Sequence, residues 1–299
     1  MNNDNRDPAQ ILKDLKPTEA FFIGVDSDGC VFDSMEIKQK ECFCPNFIKH
    51  YGLQAVSKYA REAWEFVNLY SKTRGCNRYP AVTRALDLLR ERPETAARGV
   101  SVPEMAGLKD WIRRETKLGL PALKAESERT GDADLSAAYL WSVEVDETVE
   151  KIVRDVPPFP LARESLEAMR GEADVMVVSQ TPFETLRREW EEHGVDGYVR
   201  LIAGQEMGTK AEHLAYAAKG KYQAGRILMV GDAPGDLEAA KKNGVLFYPV
   251  NPGHEEASWK RFREEALGKF FAGSYAGSYE NALIQEFDGY LPELPPWRA

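Results

Sequence analysis

Residues Phe21–Val25 form a compact apolar run, FFIGV, that halts at Asp26-Ser27-Asp28-Gly29. Such a run, closed by a polar turn, marks a parallel strand buried on both faces that delivers a loop to the sheet edge. Runs at 174–178 and 226–230 repeat the pattern, and 245–249 gives a shorter one. Helical patterns over 160–170, 182–193, 210–218 and 236–243 are interleaved with them, the last stopped by Gly244 as a C-cap. This alternation predicts an α/β fold with a doubly wound parallel sheet, whose ligands bind at the carboxyl ends of the strands.

One long stretch breaks the alternation. Residues 36–155 lack strand-like runs and show helical periodicity over 56–70, 79–90, 102–117 and 134–153. They are expected to form an all-helical insertion, with Pro157, Pro158 and Pro160 stiffening the return to the sheet. The expected division is therefore an α/β core at 1–35 and 156–250, a helical cap at 36–155, and a C-terminal helical extension at 251–299 packing on the core. Helices are expected near 255–271 and 279–287, and the short tandem AGSYAGSY between them reads as a loop.

Charge and leader narrow the class. A formal net charge of −9 argues against nucleic acid or anionic lipid as the main partner, since both are bound through positive fields. The first twenty residues are polar and lack a signal-peptide pattern, and no apolar run approaches a membrane span, so a cytoplasmic location is expected. Cys30, Cys42, Cys44 and Cys76 lack paired zinc spacings, and four scattered histidines offer no metal spacing; reduced, structural thiols are expected. Trp64, Trp111, Trp141, Trp259 and Trp297 read as packing residues.

The strand ends carry the chemistry. Asp26 and Asp28 stand two apart beyond the first strand, with Gly29 permitting a tight turn. After the second strand, Ser179-Gln180-Thr181-Pro182 offers a hydroxyl and backbone N–H groups at a helix start, a geometry that receives anions. Lys210 opens another helix, where an ammonium can neutralise phosphoryl oxygens. Gly231-Asp232-Ala233-Pro234-Gly235-Asp236 again places carboxylates at a strand end. Hard oxygen donors from Asp26 and Asp232, with a backbone carbonyl, suit Mg²⁺.

In this order the motifs resemble those of the haloacid dehalogenase-like superfamily: D-x-D-G at Asp26–Gly29, the hydroxyl at Ser179, Lys210, and G-D-x-x-x-D at Gly231–Asp236. The resemblance implies a nucleophile at Asp26, a general acid/base at Asp28, phosphate binding by Ser179 and Lys210 beside Gln180, and Mg²⁺ held by Asp26, Asp232 and the Asp28 main-chain carbonyl. It also implies that Asp236 orients Lys210 or metal-bound water. The helical insertion resembles the family's cap, although it is longer than the commonest versions.

The expected activity is a Mg²⁺-dependent phosphatase acting on a small phosphorylated metabolite, a sugar phosphate or a phosphoglycolate-like acid, through an aspartyl-phosphate. Asp28 points away from carbon chemistry of the dehalogenase kind. The cap loop Ser71–Tyr79, with Lys72, Arg74 and Arg78, is the expected specificity determinant, Arg78 being favoured as a substrate contact. Arg78 stands where a phosphonatase lysine would align, and a guanidinium cannot form an imine, which disfavours that chemistry. Glu36, Lys38 and Lys40 read as helix surface. A sugar phosphomutase remains the alternative, and a non-catalytic binding protein a third class. The chain is expected to be a monomer or homodimer.

Overall fold

The computed structural model describes residues 7–298; residues 1–6 of the polar leader and Ala299 lie outside it. The chain divides into two units, one comprising the chain up to Asp33 with Asp155–Tyr290, the other Ser34–Arg154 with the segment from Leu291 onward.

The first unit is built on five parallel strands, β1 (Phe21–Val25), β2 (Ala173–Val178), β3 (Leu201–Ala203), β4 (Ile227–Gly231) and β5 (Leu246–Pro249), in the order β3-β2-β1-β4-β5. β1 lies at the centre, with Val25 level with Val177 on one side and Val230 on the other. The chain winds outward from β1 to β3 and returns across it to β4, so the loops after β1, β2 and β4 meet where the winding reverses.

Alternation along the strands separates two apolar faces. Ile23, Val25, Val175, Val177, Leu228 and Val230 pack with Trp190, Trp259, Phe262 and Phe270 in one core. Residues of the C-terminal segment thus cover one face of the sheet. Tyr248 Oη donates to Ser258 O at 2.5 Å and Tyr275 Oη to Phe247 O at 2.7 Å, fastening that segment to β5. At the opposite end of the strands from the acidic loops, buried Asp174 accepts from Thr18 N and Oγ1, Glu19 N, Tyr222 Oη and Arg200. Burial works to raise its carboxyl, but these bonds outweigh it and hold it at about 2.

The second unit is helical. Its core is an aromatic cluster: Trp64 lies 4.9 Å from Phe47 and 5.7 Å from Trp141, with Phe43 and Tyr51 completing it. Helix starts follow the polar caps in the sequence: Asn77 accepts from Tyr79 N, and Asp132 from Asp134 N and Leu135 N. Lys38, expected on a helix surface, is buried. Lys40 and Tyr70 both engage Glu36.

The C-terminal segment, expected to pack on the core, divides between the units. Helices from Glu255 to Tyr290 belong with the sheet. Beyond them Trp297 meets Phe66 edge-on at 5.8 Å, with the Arg92 guanidinium 4.3 Å above its ring, and Pro292 O accepts from Lys72 N. An aromatic side chain with a matching ring and cation is the physical reason that the last stretch joins the helical unit. Among the described residues no helix is long and apolar enough to cross a membrane.

Candidate active site

The ladder of β1 runs one residue past the strand, because Asp26 N donates to Val230 O at 2.9 Å. That bond fixes the Asp26 backbone against β4. Gly29 then turns the chain with φ of 76°, a left-handed conformation that a Cβ would strain, and its N–H donates to Phe32 O. Ser27, between the two aspartates, is buried; its Oγ accepts the Trp190 indole N–H at 3.0 Å and donates to Glu189 Oε2 at 3.3 Å. Trp259 Nε1 donates to Cys30 O at 2.8 Å. The turn is therefore anchored from the helix after β2 and from the C-terminal segment.

Lys210 opens the helix Lys210–Ala217, whose start is set by a capping box between Thr209 and Glu212. Its Nζ donates to Asp26 Oδ2 and to Asp236 Oδ1, both at 2.7 Å. Asp236 lies in the first turn of the helix Pro234–Asn243, and its Oδ2 accepts from Ala233 N at 3.1 Å. Gly231 makes this closeness possible: a Cβ there would stand 2.4 Å from Asp236 Cγ. Asp26, Asp232 and Asp236 are all buried, each with a carboxylate oxygen within 4.8 Å of the others'.

These carboxylates share more negative charge than the Lys210 ammonium offsets. Burial pushes Asp26 above the ordinary carboxylate range, Lys210 opposing and Asp236 reinforcing the rise. Burial raises Asp236 likewise, against Lys210 and with Asp232. For Lys210 burial alone would favour the neutral amine, but Asp236 and Asp26 outweigh it and raise its pKa, so it stays charged. Burial depresses His213 to about 4, leaving a neutral ring that brings no second cation. Burial raises the Cys30 thiol, with Asp232 adding to the rise, so it is no thiolate nucleophile. An all-oxygen donor set with surplus negative charge fits a hard divalent cation.

The β2 loop joins this cluster through Asp28. Ser179 is buried and continues the ladder, its N–H donating to Ala203 O at 3.0 Å, while its Oγ accepts from Thr181 N. Gln180 is exposed and donates to Gly208 O at 2.9 Å, just before Lys210. Thr181 Oγ1 donates to Asp28 Oδ2 at 2.7 Å. The core unit thus gathers Asp26, Asp28, Ser179, Gln180, Lys210, Asp232 and Asp236 at one sheet edge. Sequence reasoning gave no site role of their own to Thr181, to Ser27 or to Trp259, which it read as packing, because their partners are far away in the chain.

Arg78 belongs to the helical unit. There its guanidinium pairs with Asp146 at 2.7 Å and lies 5.0 Å over the Phe43 ring. Arg74 is buried and donates to Leu69 O. Their charges are thus engaged by groups of their own unit.

Residues 127–250 match the family model of the haloacid dehalogenase-like hydrolases; Asp26 lies ahead of the matched span. Among solved structures, a Lactobacillus delbrueckii subsp. bulgaricus protein provisionally assigned as a phosphoglycolate phosphatase shares 14% identity at a TM-score of 0.54, over 87% of this chain and 100% of its own. A haloacid dehalogenase-like family protein of Streptococcus pneumoniae shares 14% identity at a TM-score of 0.49, over 83% of this chain and 93% of its own. No curated protein matches the sequence. The family match over residues 127–250, the motif order and the sheet topology agree in their likeness to the haloacid dehalogenase-like hydrolases.

Proposed function

We propose that the chain is a Mg²⁺-dependent phosphatase that hydrolyses a small phosphorylated metabolite through an aspartyl-phosphate on Asp26. The observation that carries this reading is the convergence of Asp26, Asp232 and Asp236 with Lys210 at the ends of β1 and β4. Carboxylate attack on a phosphate opposes like charges, and this cluster is where the opposition can be offset.

Asp26 and Asp232, with the Asp28 main-chain carbonyl, would hold the cation, and Asp236 would steady Lys210. When bound, Mg²⁺ supplies positive charge that stabilises the phosphoryl oxygens and keeps Asp26 ionised. An Asp26 oxygen bonds to phosphorus as the ester oxygen leaves, and Asp28 gives that oxygen a proton. Water then attacks phosphorus, its proton passes to Asp28, and the Asp26–phosphorus bond breaks. Ser179 and the loop it opens would receive phosphoryl oxygens, with Lys210 as the cation.

The substrate class is a sugar phosphate or a phosphoglycolate-like acid, the latter being the provisional assignment of the Lactobacillus protein of the same fold. The test is phosphate release from a panel of such monophosphates and from 4-nitrophenyl phosphate, with Mg²⁺ and with chelator, and no bisphosphate activator. Release that needs Mg²⁺ and vanishes in Asp26→Asn, with the melting profile retained, is expected. Turnover near the parent rate in that variant would sink the assignment.

A further inference from the structure

We infer that Thr181 is the positioning residue for the acid/base carboxyl of Asp28, and that it decides which Asp28 oxygen exchanges protons with the leaving group. The inference rests on the reading of Asp28 given above. Its observation is separate: Thr181 Oγ1 donates to Asp28 Oδ2 at 2.7 Å, joining the loops after β1 and β2 across 153 residues of sequence.

Both ends of this bond are held. Thr181 N donates to Ser179 Oγ at 3.2 Å, and Thr181 O accepts from Gln205 N at 3.1 Å, so the loop backbone is fixed on two sides. Asp28 pairs with Phe32 as an isolated bridge, and the next N–H, that of Gly29, also donates to Phe32 O. With both backbones set, the Thr181 hydroxyl restricts the Asp28 side-chain torsions. Both residues are only partly buried, as befits groups beside a substrate.

Engagement of Oδ2 by the Thr181 hydroxyl assigns proton exchange with the leaving group to Oδ1. In the first step the Asp26–phosphorus bond forms, the phosphorus–ester oxygen bond breaks, and the Oδ1 proton goes to the departing oxygen. In the second step water bonds to phosphorus, its proton returns to Oδ1, and the Asp26–phosphorus bond breaks. Thr181 keeps its own proton throughout, and its work is orientation.

General acid help matters most for poor leaving groups, which gives the role its own readout. Thr181→Val removes the hydroxyl at nearly constant shape, and Thr181→Ser retains it. Hydrolysis is measured on aryl phosphates running from 4-nitrophenyl to phenyl to 4-methoxyphenyl, with Mg²⁺. The expected result is a loss in kcat/KM for Thr181→Val that grows along the series, with the 4-nitrophenyl to 4-methoxyphenyl ratio widening about ten-fold, inside the range general acids supply. Thr181→Ser should restore the parent ratio. A uniform loss, or no loss, overturns the inference; if Thr181→Val does not fold, Thr181→Ala is read by the same ratio. Asp28→Asn separates the two readings. A widened ratio in Asp28→Asn but not in Thr181→Val removes only the role of Thr181, whereas an unchanged ratio in Asp28→Asn, or turnover by Asp26→Asn, removes the underlying mechanism and this inference with it.

Discussion

Replacing Gly231 with alanine tests whether the acidic cluster is set by close packing beneath it. The new Cβ would stand 2.4 Å from Asp236 Cγ and 2.5 Å from its Cβ and Oδ2. Asp236 is a short side chain, fully buried, that accepts from Ala233 N through one oxygen and from Lys210 through the other. It cannot yield at its tip alone, so the helix start must shift or both hydrogen bonds must lengthen. Overpacking costs about 1–3 kcal/mol. A lost charge-assisted hydrogen bond adds about 1.5–3 kcal/mol. A total of about 3–5 kcal/mol is expected, seen as a lower urea midpoint at unchanged slope. Lys210, released from one of its two carboxylates, should leave its place beside Asp26, and a displacement near 1 Å costs about 10²-fold in rate. The control is the same substitution in an Asp236→Gly background, where the colliding atoms are gone. There Gly231→Ala should cost under about 1 kcal/mol, a strongly non-additive cycle. Equal cost in both backgrounds, or a single variant within about 0.5 kcal/mol of the parent, would refute the packing argument.

Three further outcomes follow from the geometry. Asp174 is held at about 2 in the fold, below its ordinary 3.8, so its contribution is present above about pH 4 and lost as pH falls through about 2. Asp174→Asn should therefore destabilise by about 2–3 kcal/mol at pH 7, with the gap to the parent closing in acid urea titrations; a pH-independent gap would contradict the ion's role. Trp259→Phe strips the 2.8 Å donor from the buried Cys30 carbonyl and should cost about 1–3 kcal/mol in urea unfolding; a change near zero would show the bond to be dispensable. Trp297→Ala removes the contacts with Phe66 and Arg92, each worth about 1 kcal/mol. Amide exchange in the helix Ser57–Asn68 should accelerate while that of β1 does not, and equal acceleration in both would count against the assignment of the tail to the helical unit.

Much of the sheet is legible in the sequence because it is buried on both faces. The runs read at 174–178 and 226–230 fall within a residue of β2 and β4, and Phe21–Val25 coincides with β1. β3 is not legible: three residues between Arg200 and Gly204 give no period to detect. The helix Leu120–Thr130 likewise escapes, since its polar run offers only a weak apolar stripe. The aspartates and Lys210 announce themselves because strand ends carry them. What sequence cannot convey is who holds them: Thr181 reaches Asp28 over 153 positions and Trp259 reaches Cys30 over 229. Arg78 shows the same limit, since its partner Asp146 stands 68 positions on and no local pattern announces the pair.

The interleaving of the two units governs the order in which they can be built. During synthesis β1 appears early, yet both its neighbours, β2 and β4, follow only after the whole helical insertion. Until then Phe21–Val25 is an apolar strand with no ladder, the kind of segment that recruits foreign edges. The helical insertion has mostly nearby contacts and can gather on itself meanwhile, but the stretch that seats Trp297 against Phe66 is translated after everything else in either unit. The sheet unit is therefore complete in the chain before the helical unit is, and the nascent chain must protect its first strand until the strands on both sides of it have been made.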